Sequence, residues 1–151
     1  AQDAPPQAAV NQVVKPGVIS DQALRPLVAD DHPVNRLLLT KVLQNAWPKS
    51  LVVGAEDGQK AIEQLKKQDF DLVLMDMVMP QMDGIETTAF IRSELDHAMQ
   101  DVPVLGLTAN VNPQDLERFK AAGLNDVLLK PFDPVQLCTQ IEALILNRRS
   151  A

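Results

Sequence analysis

Asp30-Asp31, Asp76, Thr108 and Lys130 have side chains that could do chemistry together. Each site directly follows a short apolar run: "LRPLVA" before Asp30, "FDLVLM" before Asp76, "VPVLGL" before Thr108 and "LNDVLL" before Lys130. Taken singly they are ordinary, since Asp after an apolar run commonly makes a turn or a helix cap. Taken together, at the same end of successive strands, they would bring carboxylates, a hydroxyl and an ammonium into one crevice. Carboxylates at close range repel and raise one another's pKa values. A hard, oxygen-seeking cation relieves that repulsion, and Mg²⁺ suits a few carboxylates completed by water and phosphate oxygens.

The elements that must position these residues alternate along the chain. After "LRPLVA", with Pro26 restricted to a strand start or a free edge, comes the helical "HPVNRLLLTKVLQNA". Pro33 suits its first turn, and Val34, Leu37, Leu38 and Val42 share one face. "SLVVGAE" reads as the second strand, and "DGQKAIEQLKKQ" as an amphipathic helix turning Ala61, Ile62 and Leu65 inward. "FDLVLMD" is the third strand, followed by a helix from about Gly84 to Met99. "VPVLGLT" is the fourth. "NPQDLERFKAAG" is a helix with Asn112 as its cap, Pro113 in its first turn and Gly123 as its stop. "LNDVLLK" is the fifth strand, and "DPVQLCTQIEALILNRR" a last helix with Leu137, Ile141, Leu144 and Ile145 facing in and Arg148-Arg149 near its negative end. Five strands alternating with five helices predict an α/β fold, a doubly wound parallel sheet covered on both faces. In such sheets ligands bind beyond the carboxyl ends of the strands. That is where all of the candidate residues fall.

Composition narrows the function. Only 3% of residues are aromatic and the net charge is −6, which argues against a surface for nucleic acid or anionic membrane. No apolar run is long enough to span a bilayer, and the first residues lack a signal-peptide pattern. Cys138 is the single cysteine, so no internal disulfide is expected, and its surroundings place it on the packed side of a helix. The start, residues 1–22, is rich in Ala, Gln and Pro and reads as a flexible linker. A domain over residues 23–148 follows, with a tail at 149–151.

The segments "LVADDHPVNR", "DLVLMDMVMPQMDGIE", "VPVLGLTAN" and "GLNDVLLKPF", in this order and at these separations, resemble the receiver domain of two-component response regulators. The resemblance spans roughly Leu24 to Leu146 and implies a flavodoxin-like fold with strand order 2-1-3-4-5. It implies that Asp76 is the phosphoacceptor, and that Asp30, Asp31, Asp76 and the backbone carbonyl of Val78 hold Mg²⁺. Thr108 would grip the acyl phosphate and Lys130 would pair with it, the Lys130-Pro131 bond being cis. Phosphoryl transfer of this kind depends on positioning and charge neutralisation more than on covalent help from the protein.

The match has departures. Val127 stands where the family commonly has an aromatic that turns inward with the threonine, so switching is expected to lean on the Thr108 loop and the helix after it. Val78 and Asn110 occupy positions that influence the hydrolytic water, and an apolar Val78 points to a phosphoryl lifetime of minutes or more. His32 and His97 lack the setting of a phosphohistidine, and no Gly-rich nucleotide loop is present. A Mg²⁺-dependent aspartyl phosphatase would want a second acid where Val78 stands. A docking module that ignores phosphorylation would most simply have lost Asp76, one of the paired acids or Lys130. "LTAN" and the short stretch after Leu146 resemble the C-terminal receiver of a hybrid sensor histidine kinase, with the Pro/Ala/Gln leader as a joint to an upstream part and a stand-alone regulator as the alternative. That setting implies a cytoplasmic domain, a histidine kinase phosphodonor and a histidine phosphotransfer domain as recipient.

Overall fold

The computed structural model describes residues 24–78, 82–95, 97–109 and 112–150, with side chains omitted for 97, 98 and 147–150. The leader, Asn110 and the side chains of His97, Arg148 and Arg149 lie outside the described residues. Five strands, β1 (Pro26–Ala29), β2 (Val53–Ala55), β3 (Leu72–Asp76), β4 (Val104–Thr108) and β5 (Asp126–Leu129), form one parallel sheet in the order β2-β1-β3-β4-β5. The doubly wound 2-1-3-4-5 arrangement is therefore present. Pro26 is the first residue of β1, where its missing N–H costs the ladder least.

Helices α1 (Pro33–Ala46), α2 (Gly58–Lys67), α3 (Gly84–Glu94), α4 (Pro113–Ala122) and α5 (Pro134–Ser150) make the connections. Their starts follow local chemistry. Asp57 accepts a hydrogen bond from Lys60 N, Asn112 accepts one from Asp115 N, and Asp83 and Glu86 form a reciprocal capping box at α3. Gly123 ends α4 at φ 107°, a left-handed conformation that favours glycine.

Alternate strand residues feed two cores, as the period of two requires. Val73 and Met75 of β3 join Ile62, Leu65 and Ile91 on one side of the sheet, while Leu72 and Leu74 join Leu39, Leu43, Leu137 and Ile141 on the other. Ala61, Ile62 and Leu65 are buried as expected, as are Leu137, Ile141 and Ile145, with Leu144 packed partly against them. A leucine buried completely is worth about 1.5–3 kcal/mol, so these two layers hold the strand tips in place.

Two expectations need correction. In α1 the set Val34, Leu37, Leu38 and Val42 is not buried together: the first three are 65%, 54% and 54% exposed, Val42 packs partly against the core, and full burial falls to Leu39 and Leu43. Three consecutive leucines let the helix bury any of several faces, and the docking direction decides which. The helix expected to run to Met99 stops at Glu94, because buried Leu95 turns extended (φ −80°, ψ 163°). A separate helical turn follows at His97–Gln100. The Arg92 guanidinium fills the gap, donating to the carbonyls of Gln100 and Val102 and, across to the end of α4, to that of Gly123.

Candidate functional site

The chain leaves β1 outward to β2 and returns on the opposite side to β3, so the crevice between the carboxyl ends of β1 and β3 is the topological switch point. Asp30 follows β1 and Asp76 ends β3, both buried. Asp30 N donates to Ala55 O of β2 at 3.0 Å, and Met77 N donates to Leu107 O of β4 at 3.0 Å, so both acidic tips are held by neighbouring strands. Lys130 N donates to Thr108 O at 2.7 Å, which joins the tips of β4 and β5. The Lys130-Pro131 peptide is cis, as the resemblance implied. Gly84 lets the first turn of α3 approach this region, since a Cβ there would stand 2.9 Å from Asp76 O.

The side chains converge. Lys130 Nζ donates to Asp76 Oδ1 at 3.3 Å and lies 4.0 Å from Asp30 Oδ2. Val78 N donates to Asp76 Oδ1 at 3.2 Å, while the Val78 side chain faces solvent. Thr108 is buried at the end of β4. Burial pushes the Asp76 carboxyl above its ordinary value and the Asp30 charge adds to this, against the opposing pull of the Val78 N–H and Lys130. Asp30, Asp76, Val78, Thr108 and Lys130 are thus all at this end of the sheet.

Asp30, Asp31, Asp76 and His32 each offer one ligand atom within 4.8 Å of the others. Asp30 Oδ2 and Asp31 Oδ1 are shielded from solvent with no hydrogen-bond donor among the described residues. Buried acceptors left without donors are expensive, and a hard divalent cation is the group that this donor set fits. His32, set aside above as a phosphohistidine, is the fourth member of this cluster. Its place directly after Asp30-Asp31 was the one signal in the sequence, and it does not fix where the ring points.

A groove of about 570 Å³ runs from this crevice along α1, lined by Leu38, Leu39, Val42, Phe132 and Pro134 and ending at Asp30 and Lys130. Beside it Val34, Leu37 and Leu38 form an exposed apolar ridge.

Comparison with known proteins agrees with this architecture. The chain is 32% identical over 136 residues to the CAI-1 autoinducer sensor kinase/phosphatase CqsS of Vibrio cholerae, covering 90% of this chain and 19% of that protein. It is 37% identical over 118 residues to the sensor protein EvgS of Escherichia coli, covering 78% of this chain and 9% of that one. The chain thus spans less than a fifth of the length of these sensor proteins. Among solved structures, the receiver domain of the sensor histidine kinase PA1611 from Pseudomonas aeruginosa, which carries a magnesium ion in its active site cleft, superposes with TM-score 0.73 at 31% identity, covering 82% of this chain and 98% of that one. The chemotaxis protein CheY4 of Vibrio cholerae superposes with TM-score 0.75 at 28% identity, covering 82% and 99%. Residues 27–142, from β1 into α5, match the response regulator receiver domain, and with the acids at the switch point and Lys130 against Asp76 the chain belongs to that family.

Proposed function

We propose that this receiver domain takes a phosphoryl group from a phosphohistidine onto Asp76 and passes it to a histidine phosphotransfer domain. The observation that carries this is Asp76 itself, a buried carboxylate 3.3 Å from Lys130 Nζ and within 4.8 Å of two further acids. A carboxylate oxygen of Asp76 attacks phosphorus. The O–P bond forms as the N–P bond breaks, and the electron pair returns to the imidazole nitrogen. Lys130 pairs with the charge gained on the phosphoryl oxygens, and the Thr108 hydroxyl donates to one of them. Asp30, Asp31, Asp76 and the Val78 carbonyl would hold Mg²⁺, which supplies neutralisation of the carboxylates and of the entering phosphoryl group. The Asp30 and Asp31 oxygens without a hydrogen-bond donor among the described residues support that assignment.

Partner choice follows from the ridge of Val34, Leu37 and Leu38, which adjoins the crevice. A helical domain presenting a histidine over Asp76 would cover these side chains. The same surface serves donor and recipient, because both must bring an imidazole to one oxygen. The unit comprises residues 23–148, with residues 1–22 as a linker and 149–151 as a tail. It works in the cytoplasm as a receiver of a hybrid sensor histidine kinase, a setting supported by the short share of the sensor proteins that it spans. Among the described residues no helix is long and apolar enough to cross a membrane.

Intact mass after incubation with Mg²⁺ and acetyl phosphate tests the central step. One phosphoryl group is expected on the wild type and none on Asp76→Asn or in EDTA. An unmodified wild type that also ignores beryllofluoride would make the chain a docking module instead.

A further inference from the structure

We propose that His32 supplies a nitrogen donor to the acidic cluster, so that the site takes borderline divalent cations such as Zn²⁺ in a mode that three carboxylates alone would not provide. The inference rests on the reading of Asp30, Asp31 and Asp76 as a cation site and concerns which cations that site accepts.

Three observations place the imidazole. First, His32 is the residue before the first turn of α1, yet its side chain makes no capping hydrogen bond there. The local turn is closed instead by the His32 N–H, which donates to Asp30 Oδ1 at 2.9 Å. The ring is therefore not spent on the helix start. Second, Nδ1 points back over the acids, 3.0 Å from Asp31 Oδ1 and 3.5 Å from Asp30 Oδ1. Third, Asp30 is 1% exposed, and its Oδ2 has no hydrogen-bond donor among the described residues, with Lys130 Nζ 4.0 Å away. One atom from each of Asp30, Asp31, Asp76 and His32 thus lies within 4.8 Å of the others.

Ligand type separates the cations. Mg²⁺ is satisfied by oxygen and gains little from an imidazole, whereas Zn²⁺ and its transition-metal neighbours bind imidazole strongly. His32 is at the mouth of the crevice, 68% exposed, so it can turn toward an entering ion without disturbing the core. The chain would therefore respond to a transition metal at the same carboxylates that Mg²⁺ needs, and the two ions would compete.

The test is calorimetric titration of the metal-free full chain with ZnCl₂ and, separately, MgCl₂ at one fixed pH, for the wild type and His32→Asn. It is paired with ¹⁵N NMR of the histidine rings. The variant should lose about tenfold or more in Zn²⁺ affinity and keep its Mg²⁺ affinity, and Zn²⁺ should shift His32 Nδ1 in the wild type while Mg²⁺ does not. Equal Zn²⁺ affinity in the two proteins, an equal loss for both metals, or an unshifted Nδ1 overturns the nitrogen ligand while leaving the cation site standing. Failure of both metals to bind the wild type overturns the cation site as well.

Discussion

Lys130 Nζ reaches Asp76 Oδ1 at 3.3 Å across 54 residues of sequence. The contact spans two strands of the sheet, and the Lys130 N–H bond to Thr108 O secures it from behind. Replacing Lys130 with Met removes the ammonium that lies 3.3 Å from Asp76 Oδ1 and 4.0 Å from Asp30 Oδ2. Phosphorylation of Lys130→Met by acetyl phosphate in Mg²⁺ should slow by about 10²-fold, the usual cost of losing one preorganised charge partner. Time-resolved intact mass measures it, and wild-type kinetics in the variant would remove Lys130 from the reaction.

The exposed and buried leucines of α1 should separate recognition from stability. Leu43→Ala opens a hole in the core beside Trp47 and should cost about 2–5 kcal/mol in urea unfolding. Leu37→Ser should change stability by less than about 0.5 kcal/mol, leave acetyl phosphate labelling intact, and cut transfer from a phosphohistidine domain. Equal transfer rates for Leu37→Ser and the wild type would exclude the ridge as the docking surface.

Cys138 offers a pH-dependent probe of the fold. Burial, with a smaller contribution from Glu142, pushes its thiol from an ordinary 9.0 up to about 11. The raised value means that the folded state holds the proton more tightly than the unfolded state. That stabilisation is present in full below pH 9.0 and is lost as pH rises toward 11. The native protein should resist a thiol-reactive disulfide at pH 8 and react at once in denaturant. The unfolding midpoint of wild type relative to Cys138→Ala should fall between pH 9.0 and 11. Rapid native labelling at pH 8 would contradict the burial.

With Val127 rather than an aromatic three residues before Lys130, switching is expected to run through Thr108. Beryllofluoride should move the amide resonances of residues 109–123 in the wild type. Thr108→Ala should bind the mimic with those shifts largely absent. A wild-type shift pattern in the variant would assign the switch elsewhere.

Much of the molecule is written locally. Asp57, Asp83 and Asn112 cap their helices through bonds to residues three positions on, so a short stretch contains both the signal and its partner. Short apolar runs alternating with helices announce parallel strands, and the residue after each run is placed at the carboxyl edge of the sheet. Asp30, Asp31, Asp76, Thr108 and Lys130 were legible for that reason.

What the chain could not state by itself is direction and distance. Leu37, Leu38 and Leu39 are equivalent to a helix considered alone, and only packing against β1, β3 and α5 selects Leu39 with Leu43 and leaves the others to solvent. The early end of α3 depends on Arg92 reaching carbonyls on two later segments, a bond set with no local trace. The turn of His32 over the acids was equally hidden, because neighbouring residues can point anywhere until the sheet and α1 orient them. Sequence determined which groups arrive at the edge of the sheet, through short-range periodicity and capping. Tertiary packing decided which of them face one another, because that depends on surfaces contributed from far along the chain.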